Sequence, residues 1–96
     1  MRHLKKSKYK SVTIKKKRYY FYKITWLDIT GDAGHADLHT AMGFMPSKMI
    51  THAYLLSKDR KNVRTFASYE ENDELFSDRN VFPKGCIVRM EKINEK

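Results

Sequence analysis

Two histidines, His35 and His39, stand four residues apart, a spacing that places two imidazoles on one face of a helix as metal ligands. Gly34 and Asp37, however, place the start of the helix between the two rings, which weakens this pairing. The chain has no second Cys or His pair to complete a tetrahedral site. We therefore predict no metal and no cofactor, and interpret both histidines as polar loop and cap residues.

The single cysteine, Cys86, could act as a nucleophile with His52 or His39 as its base. Its neighbours Ile87 and Val88 instead indicate an apolar strand, in which a thiol behaves as a small buried hydrophobe. One cysteine cannot form an internal disulfide, which fits a reducing setting. We predict an inert thiol.

A cluster of carboxylates between positions 70 and 78 lacks the order of a calcium-binding loop, and we interpret it as a solvated acidic loop. It contains Glu70, Glu71, Asp73, Glu74 and Asp78. The sequence has no glycine-rich phosphate loop, no paired-carboxylate site and no metalloprotease helix. We predict a protein that is not an enzyme and has no catalytic residues.

The positive charge is concentrated at one end. The chain has 20 Lys and Arg against 11 Asp and Glu, a net charge of +9. Residues 1–23 contain ten basic and no acidic residues, whereas residues 24–96 contain ten basic and eleven acidic residues. This asymmetry is typical of a basic arm for nucleic acid, membrane or an acidic partner, and a solubilising tail is the alternative. The candidate nucleic-acid-binding residues are Lys5, Lys6, Lys8, Lys10, Lys15, Lys16, Lys17, Arg18 and Tyr19.

Aromatic residues follow the basic run and could provide stacking surfaces for bases. We assign Tyr22 and Trp26 to the core, and for Tyr9, Tyr19 and Phe21 both core and stacking roles stay open. No ribonucleoprotein signature is present, so we expect electrostatic binding with little sequence preference.

The elements that must position these residues are mainly strands. We predict one domain at 19–96, preceded by a basic arm at 1–18 that is partly mobile. Positions 11–29 have strand composition, with "KKKR" as the turn of a hairpin. Period-two alternation assigns one face of the main strand to the core: Tyr20, Tyr22, Ile24 and Trp26.

A short helix, Leu38 to Met42, is predicted after that strand, with Asp37 as N-cap and Gly43 as a left-handed stop. We expect its apolar side to cover an end of the sheet. Further strands are predicted at 49–56, 62–69 and 86–93. The expected fold is a small antiparallel, partly open SH3-like barrel of four or five strands with one short helix. No apolar run is long enough to cross a membrane.

The strand "ITWLDI", the short helical insert, "MITHAYLL" and "VFPKGCIVRMEKI" together resemble a set of small uncharacterised bacteriophage proteins. The resemblance spans roughly residues 22–93, with Ala53 where the pattern tends to have Gly. The matching positions are Trp26, Asp28, Thr51, Tyr54, Leu55, Pro83, Lys84, Gly85, Cys86 and Ile87. It implies a viral setting in the cytoplasm of an infected host cell, and no transferable activity.

Two functions follow as hypotheses. The first is a bacteriophage accessory protein that binds nucleic acid or a nucleoprotein machine through the basic region. The second is a protein-binding module that inhibits or redirects a host protein. Neither requires a membrane or a catalytic site.

Overall fold

The computed structural model describes residues 8–70, 72 and 74–95. Lys5, Lys6, Glu71 and Asp73 therefore lie outside the described residues. This part of the chain is mainly β, as predicted, with one short helix and a 3-10 turn at Lys84–Cys86. The elements are β1 (Ser11–Ile14), β2 (Lys17–Asp28), α1 (Leu38–Met42), β3 (Ser47–Lys58), β4 (Asn62–Phe66), β5 (Ser68–Glu70), β6 (Leu75–Ser77), β7 (Asn80–Pro83) and β8 (Ile87–Lys92).

Strand β2 is the centre of the main sheet. It pairs antiparallel with β1, β3 and β8, while β4 extends the sheet from β3 and β7 extends it from β4. A separate hairpin, β5–β6, lies where the sequence predicted an acidic loop. The sheet is open rather than closed, and the described residues form eight strands instead of the four or five expected.

The predicted hairpin at the start of the chain is confirmed. Ile14 pairs with Lys17, so Lys15 and Lys16 form a two-residue turn with φ of 50° and 70°. Positive φ at both central positions is the geometry that follows the twist of paired strands, although Asn-Gly is the usual sequence there. The boundary predicted at residue 18 coincides with no edge of the sheet, because β1 and the start of β2 belong to one ladder.

Two small cores lie on opposite faces of β2. The aromatic cluster consists of Ile14, Tyr19 and Phe66, with Phe76 among the side chains packed against it. The aliphatic cluster consists of Ile24, Val63, Phe82 and the partly buried side chains around them, which include Tyr22, Trp26 and Met90. Residues 19 and 24 have opposite parity along the strand, so their side chains point to opposite faces. A register shift between Leu55 and Ser57 in β3 accompanies this change of covered face.

Helix α1 confirms the predicted bounds and N-cap. The Asp37 carboxylate accepts a hydrogen bond from the Thr40 amide at 2.8 Å, which lowers the pKa of Asp37. The predicted left-handed stop is wrong, because Gly43 has φ −86°. The expected cover of the sheet is also wrong, since Leu38 and Met42 are 78% and 76% exposed. We call residues 29–46, which are exposed throughout, the apolar lobe.

Cys86 ends the 3-10 turn and is half-buried, so it precedes the last strand rather than lying inside it. Within the described ranges, no helix is long and apolar enough to cross a membrane.

Candidate nucleic-acid interface

Four basic residues of the predicted arm, Lys15, Lys16, Lys17 and Arg18, lie on a structured hairpin. Lys15 and Lys16 form its tip, and the exposed Lys17 opens β2 beside them. Lys8 is also exposed, while Lys10 and Arg18 are half-buried; these are the described members of the predicted set. The strand ladder therefore fixes the backbone from which the ammonium groups of the tip project.

These cations have no acidic partner among the described residues. The two ion pairs found there join Arg64 to Asp59 at 3.0 Å and Arg89 to Glu91 at 3.4 Å. Both pairs lie outside positions 8–18. The positive charge of the tip is thus free to act on an external anion.

Tyr19 leaves the candidate set. Its side chain is 4% exposed and contacts Phe66 and Phe76 edge-to-face, with ring centres 5.4 and 5.7 Å away. Burial also raises the pKa of its phenol, with a smaller contribution from Glu74. Ile14, Phe66 and Phe76 belong to the same cluster, so the ring is part of the core and presents no stacking surface.

A second ladder fixes the segment that precedes β1. The Lys10 amide donates to the Ile93 carbonyl at 2.8 Å, and the Phe21 amide donates to the Lys10 carbonyl at 3.0 Å. Further out, the Glu95 amide donates to the Lys8 carbonyl at 2.6 Å, and Tyr9 forms a bridge with Asn94. Residues 8–10 and 93–95 are therefore hydrogen-bonded to each other and extend together from the edge of β2.

This ladder assembles a group of side chains that we call the tyrosine–lysine cluster: Lys8, Tyr9, Tyr20 and Lys92. The Lys92 ammonium lies 4.3 Å from the ring centre of Tyr20 and 5.2 Å from that of Tyr9. The Lys8 ammonium lies 5.3 Å from the Tyr9 ring. Both distances around Lys92 fall within the range of cation–π attraction. The two tyrosine rings thus surround one cation.

Sequence reasoning did not place Lys92 beside Tyr20. Lys92 lies far from the basic run, and only the register that places it opposite Tyr22 brings it to this surface. The sequence did predict the final strand that carries Lys92. Composition, however, does not show which strand pairs with it.

The remaining candidate stacking residues are held by the fold. Phe21 contacts the Tyr54 ring at 4.8 Å, the His52 ring at 6.3 Å and the Lys10 ammonium at 4.3 Å. Trp26 is half-buried, and its indole N–H donates to the Thr51 hydroxyl at 2.9 Å. Both rings therefore have structural partners within the sheet.

The other candidate chemistry is dispersed. His35 and His39 are exposed in the apolar lobe, and no group of three His, Cys, Asp or Glu residues in the described ranges could hold a metal ion. Comparison with known protein families, curated proteins and solved structures gave no match. Any functional assignment must accordingly come from the charge and geometry of the chain itself.

Proposed function

We propose that this protein is a non-enzymatic nucleic-acid-binding protein whose basic hairpin contacts phosphates. The observation that carries the proposal is the group of cations at positions 8–18. Lys15, Lys16, Lys17 and Arg18 lie on a paired hairpin, Lys8 and Lys10 lie on the segment before it, and none has an acidic partner in the described part of the chain. Neutralisation of phosphates releases condensed counterions, and this release supplies affinity without reading the base sequence.

The conformation of the tip favours a binding role over a solubilising one. A solubilising tail needs charge but no defined backbone, whereas here Lys15 and Lys16 both adopt positive φ. Lysine is disfavoured in this region of φ, since its side chain crowds the backbone. Strained positions of this kind concentrate at functional sites, and here the turn fixes the backbone positions from which two cations project.

The experiment compares two triple charge reversals of equal size. Lys15→Glu, Lys16→Glu and Lys17→Glu alter the tip; Lys58→Glu, Arg60→Glu and Lys61→Glu alter the β3–β4 turn, whose three side chains are also exposed. Binding of a labelled duplex is measured by fluorescence anisotropy over a salt series.

If the tip and its neighbours neutralise about four to six phosphates, the log–log salt slope of the wild type is roughly −4 to −5. The tip variant should flatten that slope by about 3, and the turn variant should leave it nearly unchanged. Equal effects of both variants would show that the net charge of the protein, and not the hairpin tip, accounts for duplex binding. Absence of binding at low salt would refute the proposal.

For the architecture we propose the open, SH3-like barrel. β3 pairs with β2 along residues 47–54 and with β4 along residues 54–58, so one strand is shared by two ladders. β8 then returns to β2, which brings the last strand beside the first long one. An experimental structure of the protein tests this classification.

A second candidate function, a protein-binding module acting in an infected bacterial cell, has its own support in the apolar lobe. Its exposed side chains include Ile29 at 91%, Met45 at 69% and Phe44 at 50%. Exposed apolar patches mark interaction sites, and methionine adapts to varied partners. The bacteriophage setting follows from the sequence resemblance and is part of the proposal.

A pull-down from infected-cell extract, with and without nuclease, separates the two functions. Capture that nuclease abolishes, and that the tip variant also loses, supports nucleic-acid binding. Capture that resists nuclease and disappears in a Leu38→Ser, Met42→Ser variant supports the protein-binding module.

A further inference from the structure

We propose that two copies of this chain pair edge to edge through β3, with residues 47–53 of one copy running antiparallel to the same residues of the other. The inference goes beyond the proposed function and does not depend on nucleic-acid binding. It concerns the half of β3 that precedes Tyr54, which has a paired strand on one side only.

The open edge follows from the order of the strands. β2 pairs with β3 along residues 47–54, whereas β4 pairs with the other side of β3 only from Tyr54 onwards. No further strand pairs with residues 47–53 in the described part of the chain. Because alternate residues of a strand direct their amide and carbonyl groups to opposite sides, about half of the backbone groups of this stretch face outwards. Such a row of groups is a template for another strand.

Other open edges of the main sheet are protected in ways that this stretch is not. β1 and β7 have four residues each, and β7 ends at Pro83, which cannot donate to a ladder. β8 has three exposed charged residues: Arg89, Glu91 and Lys92. Short strands, proline and charge are common means of preventing edge-to-edge contact. The stretch 47–53 is longer than β1 or β7, contains no proline and carries a single lysine, Lys48.

The sequence of the stretch is compatible with pairing to itself. In a two-fold antiparallel pair, one residue lies opposite its own copy at the axis. The register that uses the whole stretch 47–53 places Ile50 at the axis and Lys48 opposite His52 of the other copy. Two lysines therefore never lie directly opposite each other, which would be unfavourable.

Both ends of the stretch suit this length of ladder. Pro46 has no amide hydrogen and cannot extend it, and at the other end β4 occupies the position beside Tyr54. In the proposed register, Pro46 of one copy lies level with Tyr54 of the other, so the base of each apolar lobe lies alongside the other copy. Exposed apolar side chains adjoin Pro46 there: Ile29, Phe44 and Met45.

The apolar surface of this region is large enough for a weak dimer. Met49 and Ile50 are 40% and 47% exposed, although they lie inside a strand. Together with the three side chains at the base of the lobe they expose roughly 600 Å² per copy, so a symmetric dimer would bury about 1,200 Å², the lower limit of a stable interface. We expect a monomer–dimer equilibrium in the micromolar range rather than a permanent dimer.

The positive charge lies where it opposes this pairing least. β2 runs antiparallel to β3, so the basic hairpin lies towards the Lys58 end of β3 and away from the open stretch. Antiparallel pairing of two copies therefore directs the two basic hairpins to opposite ends of the dimer. Charges separated by more than about 8 Å are largely screened at physiological salt.

Sedimentation of nuclease-treated protein at high salt, in a concentration series up to about 1 mM, measures self-association without bridging by nucleic acid. The wild type should approach twice its mass of 11.4 kDa as the concentration rises. Ile50→Lys places two ammonium groups opposite each other at the axis and should weaken dimerisation at least about tenfold. Val88→Lys is the matched control, because Val88 is also 47% exposed on an edge strand; it should change dimerisation less than about twofold.

Cross-linking gives a second measurement that does not require a disruptive substitution. Directly opposite residues of an antiparallel pair have Cα atoms about 4.5–5.5 Å apart, which is within disulfide range. In a Cys86→Ser background, Ile50→Cys should therefore form an intermolecular disulfide in the presence of oxidised glutathione. Val88→Cys in the same background should remain monomeric on a non-reducing gel.

Three results would overturn the inference. The first is a mass that stays at 11.4 kDa at every concentration, and the second is equal loss of dimerisation in Ile50→Lys and Val88→Lys. The third is a dimer that Ile50→Lys retains and a Leu38→Ser, Met42→Ser variant loses, since the contact would then lie on α1. Each of these results leaves phosphate binding by the hairpin tip as it stands, because the salt-dependent binding experiment tests that proposal separately.

Discussion

The basic end and the apolar lobe reverse the usual relation between composition and burial. The basic end, residues 8–18, is rich in lysine, yet Ile14 is 1% exposed and belongs to the aromatic cluster. The apolar lobe contains several large hydrophobic side chains, and all of its residues are exposed. Pairing with neighbouring strands, rather than hydrophobic content, decides which of the two segments is built into the fold.

The two regions also differ in charge and in the partners they suit. The lobe carries Asp32 and Asp37 and no Lys or Arg, whereas the basic end carries no acidic residue. Under the two proposed functions, the charge of the basic end would attract a polyanion, and the lobe would fit an apolar protein surface. The following variants test whether the regions are as different in stability as they are in chemistry.

The largest effect is expected at the core beneath the basic end. Phe66 is fully buried and contacts Tyr19, Tyr54 and Phe76, so Phe66→Ala should lower the free energy of unfolding by about 3–5 kcal/mol. Urea denaturation followed by circular dichroism measures the change. A loss below about 1 kcal/mol would show that this cluster does not stabilise the protein, which would remove the contrast with the lobe.

The hairpin tip should show an opposite change in stability and in binding. Lys15→Asn with Lys16→Gly introduces residues suited to positive φ and should raise the free energy of unfolding by about 1–2 kcal/mol. The same variant removes two cations and should weaken duplex binding. Thermal melts and anisotropy measure both quantities on one sample; a loss of stability would contradict the turn geometry.

The lobe should tolerate substitution that a core would not. Leu38→Ser with Met42→Ser changes two exposed side chains and should shift the free energy of unfolding by less than about 0.5 kcal/mol at each position. Denaturation under the conditions used for Phe66→Ala gives the comparison. Destabilisation of more than about 2 kcal/mol would show that the lobe packs against the sheet in solution.

The smallest effect is expected at the β3–β4 turn, which lies outside both regions. The Asp59 carboxylate accepts hydrogen bonds from the Arg64 guanidinium and from the Asn62 and Lys61 amides, and these lower its pKa from 3.8 to about 2. A carboxyl group with a lowered pKa in the folded state stabilises the fold above its unfolded pKa and loses this contribution as pH falls.

The difference in melting temperature between wild type and Asp59→Asn should therefore stay constant above about pH 5. It should shrink as pH falls from about 4 towards 2, where the wild-type carboxyl becomes protonated. A difference that grows on acidification would have the wrong sign and would contradict the lowered pKa.

Local patterns were predictable because they depend on neighbouring residues. Asp37 could be identified as an N-cap from its position before an apolar stretch, and the lysine turn from the strand types around it. Alternation also separated Ile24 and Trp26 from their odd-numbered neighbours. It could not show that the other face has a core of its own near the start of β2, because that core depends on where β1 and the β5–β6 hairpin lie.

The candidate site was harder to predict because its members are distant in sequence. Lys92 reaches Tyr20 only through the register of β8 on β2, and composition carries no information about that register. Tyr19 was assigned to the site through its proximity to the basic run, yet one position along a strand changes the face. The positions of Tyr19 and Tyr20 show how a single residue separates core from surface.

The pairing of residues 8–10 with 93–95 has a kinetic consequence. The β1–β2 hairpin can form early from local contacts, whereas Tyr9 and Lys92 meet only after nearly the whole described chain has found its order. Pairing of these two end segments is therefore a late event in folding. A ligand that contacted both segments would hold them together and slow the opening of the protein.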